Sequence, residues 1–184
     1  MIKKAFFEAA FVVFGVVLAL AANEWREGRA DRAEARDALA AIHEEIRLNR
    51  DMVAEAISAH EARLVAIGDP TTAAPPDMSA FSDGFMKPAT ALSTAAWDSA
   101  AQTGIFSHME FETVRKLGTL YAHQDRYHDQ VSSYASLIYE TLYRDGYQSI
   151  FGNKRGLLTM IRTLKYQEEA LLGVYDTFLT GLES

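Results

Sequence analysis

Cysteine is absent from the 184-residue chain. That excludes disulfides, thiolate metal sites and a cysteine nucleophile, and it leaves the redox compartment open. Proline is scarce and confined: Pro70, Pro75, Pro76 and Pro88 are all four of them, and all fall within residues 68–88. An excess of base is also missing. Lys and Arg total 18 against 25 Asp and Glu, a formal net charge of −7, with no basic run. A nucleic-acid partner is therefore not expected, because such a partner needs a basic face to neutralise phosphates. Strand-like alternation, internal repeats, phosphate loops and dinucleotide fingerprints do not occur. No Ser-His-Asp set or carboxylate pair is supported by spacing. The chain is expected not to be an enzyme, with no catalytic, cofactor-binding or metal-binding residues and no cofactor.

One long apolar run is present, "AFFEAAFVVFGVVLALAA" at residues 5–22, broken only by Glu8. Eighteen helical residues rise about 27 Å, close to the hydrocarbon thickness of about 30 Å. Lys3 and Lys4 precede the run, and Asn23 and Trp25 follow it, as interfacial anchors. Ala19-Leu20-Ala21 offers a signal-peptide cleavage pattern. A carboxylate inside the apolar core is foreign to such a signal, so a retained single-pass anchor is expected. Glu8 has two readings. Lys4, at i−4, can pair with it at the interface. Alternatively, Glu8, Val12, Gly15, Ala19 and Ala22 share one helical face. Gly15 and Ala19 on that face admit a close neighbouring helix, to which the carboxylate would bond. Arg26, Arg29, Arg32 and Arg36 beyond the run rival the two lysines in the charge count. A short tail before an apolar run is nevertheless a signal-anchor layout. The N-terminus is expected in the cytoplasm and the remaining domain outside.

From Asn23 to Ile67 there is no proline, and helix formers dominate. Leu39, Ile42, Ile46, Val53, Ile57, Leu64 and Ile67 recur at helical steps, so the anchor should continue into a long helix over 23–67. Its charges are interleaved in sign, as on a solvated face. Asn49 and His60 interrupt the heptad, which favours a helix in a bundle over a free coiled coil. Residues 68–88 are the one clear break, a segment long for a compact domain. Helices follow at about 89–103, 108–145 and 157–182, with Ser107 and Glu110 as a capping box before the second. Residues 146–156 are read as a glycine-punctuated break. The expected fold is all-α, a single N-terminal transmembrane helix continuing into an antiparallel helical bundle. Residues 1–22 form the anchor and 23–184 a helical extramembrane domain.

Candidate sites outside the anchor are sparse. His43-Glu44-Glu45 resembles the start of a zinc-protease helix, but Arg47 stands where the second histidine would be. His123 and His128 do not share a helical face, and a solvated surface is the expectation for both. Tyr127, Tyr134, Tyr139 and Tyr143 are paired by helical spacing and make a candidate partner surface.

Glu8, Val12, Val13, Gly15, Ala19, Leu20, Asn23 and Trp25 resemble the anchor of a widespread family of bacterial single-span membrane proteins of unknown function. That anchor reads roughly G-E-I-x-L-V-V-x-G-I-L-I-A-L-x-x-N-x-W; Phe7 replaces its first glycine here. The similarity continues loosely through Glu45 and Asn49. It continues too in "AWDSAAQTGIFSHMEFETVRKLGTLY", on Trp97, Gly104 and Leu117. The resemblance implies an uncleaved inner-membrane anchor with its positive end before the span, and it implies no activity. It also makes Glu8 a patterned feature. The combined expectation is a bitopic inner-membrane accessory protein in the lipid bilayer. It would dock onto other membrane protein subunits or form a homo-oligomer, with its domain in the periplasm. The alternative is a periplasmic ligand-sensing or binding helical domain.

Overall fold

The computed structural model describes residues 2–72, 77, 79, 88 and 92–181; within its helices, the side chains of residues 2–12, 147, 148 and 151 are not described. All regular structure among these residues is helical. The elements are α1 (Ile2–Ile67), α2 (Ala95–Thr103), a 3-10 turn (Ile105–His108), α3 (Phe111–Asp145), α4 (Tyr147–Gly152) and α5 (Lys154–Thr180).

α1 is one unbroken helix of 66 residues. Apart from Glu45, its buried positions are Ala35, Ile42, Ile46, Asn49, Val53, Ala56, His60, Arg63 and Ile67. With half-buried Leu39 they step by three and four without interruption, the pattern of a heptad core. Asn49 and His60 therefore do not break the stripe. They occupy core positions: Asn49 bonds Ser93 and Gln124 there, and His60 meets Glu168 through Nδ1 while its Nε2 is buried without a partner.

α5 lies along α1 and runs antiparallel to it. Arg50 pairs with Asp176 at 2.9 Å, His60 with Glu168 at 2.7 Å and Glu61 with Lys165 at 3.0 Å, so numbers rise on one helix as they fall on the other. α3 runs parallel to α1: Tyr121 bonds Glu45, and Gln124 bonds Asn49. The all-helical reading holds, but a simple antiparallel order does not. The chain must return to the lower part of α1 before α3 begins. That return explains the length of the proline-containing segment. Asp77 N donates to Ala66 O at 3.0 Å, and Ser93 N donates to Asn49 Oδ1 at 2.8 Å. These two points lie about 26 Å apart along α1 at 1.5 Å per residue.

Three boundaries differ from expectation. α2 starts at Ala95, not near 89, because Ser93 and Thr94 are held in non-helical conformation against α1. Ser107 and Glu110 do not form a capping box. Ser107 sits in the 3-10 turn and donates to Gly104 O, and Glu110 makes no side-chain cap bond. Residues 147–152 form the short α4, and α5 starts three residues early because Asn153 Oδ1 accepts from Gly156 N at 2.9 Å.

The core joins Ile42, Ile46, Val53, Leu117, Leu120, Tyr121, Leu164, Leu171 and Tyr175. A smaller cluster of Ile67, Leu157, Leu158 and Ile161 closes the far end. The core begins at Ala35. Below it, α1 projects beyond the bundle.

Candidate functional site

Glu45 is 7 % exposed and carries more bonds than any surface position would require. Its Oε2 accepts from Ser93 Oγ at 2.6 Å and from Ala96 N at 2.9 Å. Its Oε1 accepts from Tyr121 Oη at 2.6 Å and from Trp97 N at 3.5 Å. A carboxylate of α1 thus caps the N-terminus of α2, whose own Thr94 makes no side-chain bond to its first-turn N–H groups. Burial pushes the Glu45 carboxyl up, but the bonds from Ser93, Tyr121, Ala96 and Trp97 outweigh it and hold the group below the usual carboxylate range. Tyr121 is pushed up by burial and then by donating to Glu45. Tyr175 is pushed up by burial and by the Glu45 charge.

One turn along, Asn49 grips the Ser93 backbone at both ends: Nδ2 donates to Ser93 O at 2.8 Å while Oδ1 accepts from Ser93 N. Gln124 Nε2 also donates to Ser93 O, and Gln124 Oε1 accepts from Tyr175 Oη at 2.6 Å. Farther up, His60 Nδ1 meets Glu168 Oε2, and Tyr127 Oη donates to Glu168 Oε1 at 2.7 Å. Apart from His60 Nε2, which is buried without a partner, these groups bond mainly to one another. They fix helix register in the interior and are aimed away from solvent.

Glu45, Asn49, Trp97 and Leu117 come together around this network. Glu45 caps the helix that carries Trp97. Asn49 holds the residue before it. Leu117 is fully buried in the same cluster, and Gly104 ends α2 at φ 74°. Trp97 stacks on Tyr121 at 4.8 Å between ring centres and tilts against Phe106 at 4.6 Å.

The other candidates separate. Glu45 points inward, Glu44 pairs with Arg47 at 3.5 Å, and the His43 ring meets Phe178 edge-on at 5.6 Å. The three do not converge. Burial and then the Arg47 charge hold His43 below its ordinary pKa. Among the described residues no three His, Asp or Glu side chains are placed to hold a metal ion. Tyr127 is not part of a partner surface: it is buried against Glu168. Tyr134 is half-buried, whereas Tyr139 and Tyr143 are exposed, Tyr143 at 87 %. An open apolar cleft lies between α3 and α5 beside Tyr134, lined by Leu137, Ile138, Leu157 and Met160.

Of the anchor residues, the side chains of Lys3, Lys4, Glu8 and Val12 lie outside the described ones. Gly15 faces open space, and Ala19 and Ala22 are exposed. Val13, Phe14, Val16, Val17, Leu18 and Leu20 are each 53–65 % exposed. At about 100° per residue these six spread over roughly 200° of the helix, and Gly15, Ala19 and Ala22 occupy the remaining side. Beyond them, Asn23 Nδ2 donates to Glu27 Oε1 at 2.7 Å and Asn23 Oδ1 accepts from Arg26. Trp25 is exposed with the Arg29 guanidinium 5.0 Å from its ring centre. Among the described residues no helix is long and apolar enough to cross a membrane; residues 5–12 of the apolar run fall outside that description. No family model matches the chain, and no curated protein or solved structure matches it.

Proposed function

We propose that the chain is a single-pass membrane protein of the accessory kind, anchored by residues 5–22 and carrying a rigid helical bundle that docks onto a membrane complex or onto a second copy. The observation that supports it is the exposed segment from Val13 to Leu20, which projects from the bundle with bulky apolar side chains over roughly 200° of its circumference and only Gly15 and Ala19 on the rest, so that no side is polar. A helix that docked into one groove would need one apolar face; a helix apolar all round needs an apolar solvent. The resemblance of the segment from Glu8 to Trp25 to single-span anchors supports the same reading. So does the position of Trp25 and Arg29 just past it, where an indole and a guanidinium meet headgroups. On this reading the N-terminus is cytoplasmic, and the bundle stands in the periplasm of a bacterial cell. The face of Glu8, Val12, Gly15, Ala19 and Ala22 meets a neighbouring span, and the exposed Tyr139 and Tyr143 lie on the outer surface.

The test has two steps. The chain should stay with membranes through alkaline carbonate extraction; release into the supernatant overturns the anchor. Purified in mild detergent, it should have the mass of an oligomer or of a complex; a lone monomer overturns docking through the span. Because the chain lacks cysteine, a single Ser132→Cys variant labelled by a membrane-impermeant maleimide in intact spheroplasts reports which side the bundle occupies.

A further inference from the structure

We infer that the cleft between the membrane-proximal part of α1 and the start of α3 binds a phosphate group. Arg29, Arg32 and Arg36 line a cleft of about 590 Å³ together with His108 and the first turn of α3. Around α1 the charges are sorted. At about 100° per residue, these three arginines and Trp25 fall on one side, and Glu24, Glu27, Asp31 and Glu34 on the other. The acidic side opens on an adjoining groove lined by Glu24, Glu27 and Asp31, which shares Arg32, His108 and Met109 with the cationic cleft, and Asp31 Oδ2 lies 3.7 Å from His108 Nδ1. Glu110 is the one carboxylate lining the cationic cleft, against three guanidiniums.

Two further observations point to an anion. Among the described residues none of Arg29, Arg32 and Arg36 forms an ion pair, whereas Arg47, Arg50, Arg115 and Arg144 each pair with a carboxylate. In a chain of net charge −7, three guanidiniums without a carboxylate partner line one cleft; Arg36 Nε donates to Arg32 O, and Arg29 lies over the Trp25 ring. The cleft also receives the N-terminus of the 35-residue α3, which has no side-chain cap. Val114 N is its first amide to bond, to Glu110 O, so the amides of Phe111, Glu112 and Thr113 find no acceptor among the described residues. Guanidiniums that line the same cleft as the uncapped start of a long helix are suited to phosphate oxygens.

Phosphate reaches this place either free or on a lipid headgroup. The lipid source rests on the anchor reading. Arg29, Arg32 and Arg36 lie about 6, 10 and 16 Å above Trp25 along the helix, and their side chains lean back toward its N-terminus. The headgroup layer is about 5–8 Å deep on each side of the hydrocarbon, so Arg29 reaches into it and the other two close the cleft above.

The full chain is placed in nanodiscs of neutral phosphatidylcholine, and the thermal midpoint of its helical signal is followed as inorganic phosphate replaces chloride at constant ionic strength. The same midpoint is measured in discs containing phosphatidylglycerol. A saturable rise with phosphate, weakened by about tenfold or more in concentration by Arg32→Gln/Arg36→Gln and unchanged in Arg115→Gln, supports the site. A rise in phosphatidylglycerol discs that removes the response to added phosphate assigns the source to the headgroup. A response to phosphate that phosphatidylglycerol leaves intact assigns it to the free ion. No response to either, or equal responses in the double variant and the wild type, overturns the proposal. Helical content and the midpoint in chloride show that the double variant is folded. Failure to enter neutral discs at all is failure of the anchor, and the phosphate titration on the disc-free protein then still decides the cleft.

Discussion

The hydroxyl of Tyr121 donates to Glu45 Oε1 at 2.6 Å across 76 residues of sequence, and the same carboxylate closes the N-terminus of α2. One side chain therefore ties α1, α2 and α3. Glu45→Ala leaves two backbone N–H groups and two hydroxyls without their acceptor, an expected loss of about 3 kcal/mol or more. The midpoint of urea unfolding measures it; a loss within about 0.5 kcal/mol, the range of an ordinary surface change, contradicts the capping role.

Glu45 also carries a pH dependence. Its folded pKa is depressed, so its contribution is complete above the ordinary carboxylate pKa of about 4.3 and is lost as pH falls through the lower folded value. Stability measured from neutral pH down to about pH 3 should fall less steeply in Glu45→Gln than in the wild type. Parallel curves would show that Glu45 does not gain from ionisation.

His60 and Glu168 are both fully buried and lie 2.7 Å apart. Glu168→Ala should cost about 3–5 kcal/mol, because it leaves His60 and the Tyr127 hydroxyl without this acceptor. His60→Leu/Glu168→Met should cost clearly less than the sum of the two single changes. A double-mutant cycle gives the coupling, and additive costs would mean that the pair is independent.

Two glycines separate conformation from space. Gly104 has φ 74° with nothing near a Cβ, so Gly104→Ala should lose about 1 kcal/mol from backbone strain alone. Gly118 lies inside α3, and a Cβ there meets Trp97 at an ordinary 3.8 Å. Gly118→Ala should gain about 0.5–1 kcal/mol from helix propensity. Thermal midpoints moving about 2–4 °C in opposite directions check both.

Gly15→Leu keeps the segment apolar and fills the open space beside Gly15. Membrane retention should persist while the detergent-solubilised mass falls to that of a monomer. Retention of the larger mass would mean that the Gly15 face is not the contact, and would leave Glu8 as an interfacial charge beside Lys4.

The apolar periodicity of the sequence carries much of the fold: Ile42, Ile46, Val53, Leu117, Leu164 and Leu171 read as core and are core. The continuity of α1 through Gly28 was equally legible. Glu45, Gln124 and Glu168 were not, because a charged or amide side chain on a mostly polar helix reads as solvated. Its burial is decided by partners 31–108 residues away. Asn49 and His60 were visible only as interruptions, which is how a polar core position looks without its mate. The parallel course of α1 and α3 also escaped, since helix order along a chain does not state direction in space. The cationic cleft was present in the sequence as four arginines past the apolar run. The spacing did not announce that α3 would begin beside three of them.

The antiparallel contact between α1 and α5 has a consequence for how the molecule is made. Arg50 meets Asp176 across 126 residues, and His60 meets Glu168 across 108. The part of the α1 stripe that α5 covers, finished early in synthesis, stays uncovered until the last helix has been made, and closing so long a loop is slow. During that interval, His60 and the apolar residues that face α5 are open to any other helix in reach. A chain held to a surface by its leading end would spend that wait among neighbours of its own kind, so its earliest risk is exchanging α5 with one of them.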